Sequence, residues 1–204
     1  MKNRREKILS ASRQLFNNKG YSNVTIRMIA LELEISSGNL NYHFKKREDI
    51  LEALYFEMVE EFDIRVKQLE KRELTLQNIK NDIQESMERM VEYHFFWTDL
   101  YNLLRLNSKI NTHFQKVYSD RCKGYQFLFK TLIKKEIMCQ FKLSKQRDFL
   151  IEQMIGFSNT WLYNSFLYGK DIHKKQIVLQ TDSLLLMLYP HLTEKGKELY
   201  NKLK

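Results

Sequence analysis

The sequence predicts an all-α protein, with an N-terminal three-helix head over residues 1–48 and a helical-bundle body over residues 49–204, about nine to ten helices in all. Three observations predict it. The 204 residues include one Pro and six Gly, and both types break or weaken helices, so long helices are favoured over a turn-rich β fold. Apolar residues recur three and four positions apart along most of the chain. Hydrophobic residues make up 43% of it, enough to build a sizeable core.

The first helix spans residues 4–18, with Ile8, Ala11, Leu15 and Phe16 on one side and Arg4, Arg5, Lys7 and Arg13 on much of the rest. Gly20 is its stop. Thr25 is the expected N-cap of the second helix, because its hydroxyl can accept from a free backbone N–H of the first turn. Ile26, Ile29, Ala30 and Leu33 form that helix's packing face, and Glu34-Ile35-Ser36 is a turn. Ser36 or Ser37 caps a short third helix that ends near Phe44, with Leu40 and Phe44 inward. Glu48 and Asp49 then open a fourth helix, where the helix dipole favours acids. It runs to about Leu69 on a stripe of Ile50, Leu54, Met58, Phe62 and Val66.

Lys71 to Thr75 is a charged link. Helices follow over residues 76–97, 99–107, 110–139, 145–168 and 174–189, the last stopped by Pro190, with a small helix over 193–203. Helices 145–168 and 174–189 are apolar around more than one face, and such a helix needs two partners. One is its own bundle. The second is expected to be another copy of the chain, giving a homodimer through these two helices.

Formal net charge is +9, and the first fifty residues hold ten Lys/Arg against five Asp/Glu. That bias points to a polyanionic partner at this end. The outer face of the third helix carries Ser37, Gly38, Asn39, Asn41, Tyr42 and His43. Hydrogen-bonding side chains almost without charge suit base edges and phosphates better than plain solubility. Lys45, Lys46 and Arg47 follow at once and can neutralise phosphates.

Other function classes are disfavoured. No P-loop, GxGxxG, HExxH, CxxC or GxSxG occurs, so no enzyme is expected. The two cysteines, Cys122 and Cys139, make no disulfide framework and fit a reducing cytoplasm. The five histidines lie far apart, so neither a metal nor another cofactor is expected. The longest apolar run, Leu184 to Tyr189, is far short of the roughly 20 residues a spanning helix needs. A competing reading is a helical adaptor that binds protein and holds nucleic acid only through charge, which would not need the third helix's polar face.

The residues from Thr25 to Leu51 resemble the DNA-binding head of the TetR family of bacterial transcriptional regulators. Thr25, Ile29, Ala30, Gly38, Leu40, Tyr42, Phe44, Lys46 and Asp49 match the family pattern in register, and Phe16, Gly20 and Tyr21 fit it upstream. Asn41 departs from it, standing where the family usually has Tyr; Asn can read adenine bidentately in the major groove. The resemblance implies that Arg27, Ser37, Gly38 and Asn41 reach base edges. It implies that Thr25, Asn39, Tyr42, His43, Lys46 and Arg47 touch the phosphate backbone. It further implies a homodimer on an inverted-repeat double-stranded DNA operator, with reading helices roughly 34–36 Å or a multiple apart. Repression relieved by a small-molecule effector is the behaviour the family suggests. For such an effector, apolar or aromatic, the body offers His94, Trp97, Tyr101, Arg105, Tyr125 and Trp161 as pocket residues. The same side chains also read as ordinary core.

Overall fold

A computed structural model describes residues 4–69 and 73–203, without the side chains of residues 61 and 63–69. Among these residues the chain forms α1 (Arg4–Lys19), α2 (Ile26–Glu32), α3 (Ser37–His43), α4 (Arg47–Leu69), α5 (Leu76–Glu92) and α6 (His94–Thr98). It continues as α7 (Leu100–Leu106), α8 (Ser108–Lys134), α9 (Ser144–Leu167), α10 (Lys174–Leu186) and α11 (Glu194–Asn201). Two 3₁₀ turns, Tyr21–Asn23 and Tyr189–His191, complete the described elements. An isolated bridge between Met138 and Leu192 is their one β feature. The Val66 side chain of the predicted α4 stripe and link residues 71 and 72 lie outside the described residues.

The chain divides into two compact units. One gathers the chain up to Arg65 with Tyr93–Asn111; the other gathers Val66–Glu92 with everything from Thr112 onward. The division thus differs from a single cut after residue 48, because the start of α4 and the segment 93–111 belong with the head.

In the head unit, α1 buries Ile8, Leu9, Ala11, Leu15 and Phe16, which the 3.6-residue period puts on one side. It ends where Gly20 takes φ 77° and donates its N–H to the Phe16 carbonyl at 2.9 Å. A left-handed φ is easy for glycine and costly for other residues. The chain then folds back so that the Tyr21 ring meets Phe16 edge-on at 5.1 Å. On α4, Ile50, Leu51, Leu54, Tyr55 and Met58 are all buried.

Residues 76–97 do not form one helix: α5 stops at Glu92 and α6 starts at His94. The break has a tertiary cause. The Phe95 N–H donates to Asn17 Oδ1 at 3.1 Å, and His94 Nε2 lies 3.0 Å from the Asn17 carbonyl oxygen. The Tyr93 hydroxyl donates to Glu57 at 2.6 Å, under an Arg13 guanidinium 4.9 Å from the ring centre. These partners lie 36 to 80 residues away in sequence, so local periodicity carries no trace of them.

In the second unit, α10 packs chiefly on α5 and also on α9. It buries Ile177, Thr181, Leu184 and Leu185, and the Thr181 hydroxyl donates to Met87 Sδ at 3.5 Å. Lys80 of α5 pairs with Asp182 at 2.9 Å. Helix α8 ends at Lys134, short of the expected residue 139, because Glu136 takes φ 59° and the Ile137 N–H turns back to the Leu132 carbonyl. Thr193 caps α11 by accepting from the Gly196 N–H at 3.1 Å and donates to the Glu136 carbonyl at 2.7 Å.

Gly196 lies directly against the Ile137 carbonyl, and a Cβ there would overlap it. Gly196→Ala is therefore expected to lower unfolding stability by about 1–3 kcal/mol, the usual cost of overpacking. Chemical denaturation measures it; an unchanged midpoint would mean that α11 can shift away at little cost.

Candidate nucleic-acid interface

The reading unit is built by two caps and two anchors. Thr25 Oγ1 accepts from the Met28 N–H at 3.3 Å and starts α2. Ser36 Oγ accepts from the Asn39 N–H at 3.1 Å and starts α3. Between them Glu34 takes φ 53°, and the Ile35 N–H returns to the Ala30 carbonyl at 3.0 Å, making a tight turn. Leu40 and Phe44 are buried and pin α3 to the head, while an Arg5 guanidinium covers the Phe44 ring at 5.1 Å. Asp49 Oδ2 accepts from the Lys46 N–H at 3.1 Å and fixes the start of α4.

That anchoring leaves one face of α3 outward. Gly38, Asn39, Asn41 and Tyr42 are exposed, Ser37 and His43 half-buried. Tyr42 is 88% exposed, with its ring edge-on to His43 at 5.3 Å. An aromatic ring so exposed has no packing role in its own head and offers a rigid hydroxyl to a partner. Arg27, Lys45 and Lys46 are exposed and make no ion pair among the described residues. Each keeps its charge available for a phosphate.

Arg47 is placed differently. Its Nη1 donates to the carbonyls of Tyr21, Ser22 and Val24 at 3.0, 3.2 and 2.9 Å, and its guanidinium carbon sits 4.1 Å from the Tyr21 ring centre. The Tyr21 hydroxyl donates to Glu48 at 3.3 Å. Burial pushes the Tyr21 phenol above its ordinary pKa, against the lowering effect of the Arg47 charge.

Comparison with known proteins identifies this arrangement. Residues 8–54 match the family described as bacterial regulatory proteins of the tetR family, and residues 57–200 match a family described as a bacterial transcriptional repressor. The chain belongs to the TetR family. It is a DNA-binding transcriptional regulator with a helix-turn-helix head. A TetR-family regulator from Marinobacter aquaeolei VT8 has the same fold, with a TM-score of 0.87 and 25% identity over 98% of this chain and 97% of that one. The regulator QacR of Staphylococcus aureus is 27% identical over 63% of this chain and 70% of its own length. FadR of Bacillus subtilis, solved in complex with stearoyl-CoA, shares the fold at a TM-score of 0.67 and 17% identity over 90% of this chain and 97% of that one.

The six residues that the sequence offered for an effector pocket of this TetR-family chain fall into two sets. His94, Trp97, Tyr101 and Arg105 belong to the head unit, and Tyr125 and Trp161 to the other. His94 is engaged with Asn17, Trp97 is buried, and Tyr101 is 71% exposed with Arg105 5.6 Å from its ring centre. Trp161 is 1% exposed in the core of the second unit. Tyr125 lies 6.0 Å from Phe129, and burial raises its phenol pKa while the Arg121 charge lowers it.

Arg121 is the residue sequence reasoning passed over. Its guanidinium donates to Asn159 Oδ1 at 2.7 Å and Ser158 Oγ at 2.5 Å, joining α8 to α9 beside Tyr125. The spacing of four between Arg121 and Tyr125 on one predicted helix was the available signal. No helix among the described residues is long and apolar enough to cross a membrane.

Proposed function

We propose that this regulator is a cytoplasmic repressor that binds an inverted-repeat operator as a homodimer and is released by a small-molecule effector. The observation that carries the DNA half of this reading is the outward face of α3, where a rigid exposed Tyr42 stands beside Asn41 and Gly38 on a capped, anchored helix. Arg27, Ser37, Gly38 and Asn41 would reach base edges. Thr25, Asn39, Tyr42, His43 and Lys46 would follow the phosphates. Arg47 leaves that set, since its guanidinium is turned onto three backbone carbonyls.

The dimer half rests on α9 and α10. Phe149, Tyr163, Phe166 and Leu167 on α9, and Leu179 and Leu186 on α10, remain exposed after the second unit has packed its own core. Large apolar side chains left outside on two neighbouring helices mark a protein contact. Effector control is supported by stearoyl-CoA in the FadR complex, and by choline bound to a regulator from Saccharomonospora viridis.

The test is fluorescence anisotropy on a duplex from the protein's own upstream region, with scrambled competitor, followed by a ligand panel. The expected result is competitor-resistant binding of two chains per duplex, and at least one ligand that lowers affinity. A ligand that saturates the body without changing DNA affinity would remove it from the switching role.

A further inference from the structure

Arg47 opens α4 immediately after the two lysines that face solvent, yet its guanidinium points back into the head. Nη1 carries two hydrogens and lies within bonding distance of three carbonyl oxygens, those of Tyr21, Ser22 and Val24. Those carbonyls belong to the 3₁₀ turn Tyr21–Asn23 and to Val24, the last residue before the Thr25 cap. The guanidinium also covers the face of the buried Tyr21 ring, whose hydroxyl is held by the neighbouring Glu48. One side chain thus ties the stretch leading into the helix-turn-helix to the residue that leads out of it.

We infer that Arg47 is a positioning residue for DNA reading, a clamp that fixes the lead-in of α2 to the start of α4. It thereby sets how α2 and α3 are presented together to the groove. The inference rests on the DNA reading proposed above. All three bonds leave one nitrogen, so what is specific to arginine is the flat guanidinium over Tyr21: a lysine ammonium could reach the carbonyls with its three N–H groups but offers no plane to stack on the ring. Without the clamp, the partly buried Tyr21 and Val24 carbonyls lose their donor, and Thr25 and Arg27 are carried on a turn whose remaining polar tie to α4 is the Tyr21–Glu48 hydrogen bond. Lys46 has the opposite job. Its side chain is exposed and adds a charge for phosphate without holding the head together.

The two jobs separate in a salt series. Arg47→Ala, Arg47→Lys and Lys46→Ala are compared with the wild-type chain on a selected operator duplex and on a random duplex of equal length. Circular dichroism and thermal unfolding establish the folded fraction. Arg47→Ala is expected to weaken operator binding about 10- to 100-fold, the scale of removing a charge-assisted hydrogen bond, and Arg47→Lys, which keeps donors for the carbonyls but loses the stacking on Tyr21, by less. Their affinity for the random duplex and its salt slope should stay at the wild-type values. Lys46→Ala is expected to weaken both duplexes alike and to lower the salt slope by about 0.9 for each phosphate it no longer neutralises.

A fall in the random-duplex slope of Arg47→Ala to match that of Lys46→Ala would overturn the clamp and make Arg47 a phosphate ligand. Operator affinity unchanged in a folded Arg47→Ala variant would also overturn it. If Arg47→Ala does not fold, Arg47→Gln, which keeps part of the stem and an N–H donor without the charge, takes its place with the same two expectations. A wild-type chain with no preference for the operator would sink the DNA reading and the clamp together, whereas preference retained by both Arg47 variants would sink the clamp alone.

Discussion

Asn41→Ala and Tyr42→Ala are expected to leave the fold intact and to weaken operator binding. Both side chains are exposed on α3, whose anchors are Leu40 and Phe44. Alanine has the higher helix propensity, so neither change weakens the helix. The two losses should differ in kind. An Asn that pairs bidentately with adenine contributes about 1–3 kcal/mol of discrimination at its base pair, and a dimer counts that twice. Asn41→Ala should therefore relax preference at one position in each half-site while leaving affinity for random DNA unchanged. Tyr42→Ala should weaken all sequences alike, and since the phenol is neutral its salt slope should not change. Anisotropy on operator and single-substituted duplexes, with a melting curve for each variant, reads both effects. Wild-type discrimination in a folded Asn41→Ala protein would show that another residue reads the base.

Gly156 carries the second large effect. It lies in the middle of α9, is exposed, and would place a Cβ in open space with nothing within 4 Å. Glycine in a helix interior is about 1 kcal/mol worse than alanine, and nothing in its own subunit calls for it. Its helical neighbours on that side include Phe149 and Tyr163, seven residues away in each direction, and both are exposed aromatics. A second α9 crossing closely at Gly156, with the aromatics on either side, accounts for all three residues. Gly156→Arg should then leave a folded monomer and abolish operator binding, because one short reading helix holds DNA weakly. Gly156→Ala should stabilise the monomer slightly while weakening the dimer. Analytical ultracentrifugation separates this from the alternative, in which Gly156→Arg remains dimeric and the glycine has no partner.

What was legible in the sequence and what was not divides by the range of the interactions. Thr25 and Ser36 each lie three residues from the N–H they accept, so pattern places the first cap and narrows the second to Ser36 or Ser37, and the four-residue spacing of Leu40 and Phe44 puts both on the inward side of α3. The break at Tyr93 was not legible. A run of aromatics at helical spacing reads as one helix, and the Asn17 side chain that captures the Phe95 N–H is 78 residues away. Arg47 read as one more cation beside Lys45 and Lys46, because its partners are backbone carbonyls and those leave no signature in residue types. The pocket residues were grouped by chemical character, and the fold assigns four of the six to the head unit and two to the other. Aromatic content identifies apolar surface but does not say which surface it joins.

The most direct test of the central claim, that α3 reads base sequence as part of a dimer, is selection of bound duplexes from a random pool by the full chain, in parallel with Asn41→Ala. The account predicts enrichment of an inverted repeat whose half-site centres lie one helical turn, about 10–10.5 base pairs, or a multiple apart. It also predicts one half-site position that becomes degenerate in the Asn41→Ala pool. A pool that binds yet shows no enriched motif would contradict it, and would leave the basic head holding nucleic acid through charge alone.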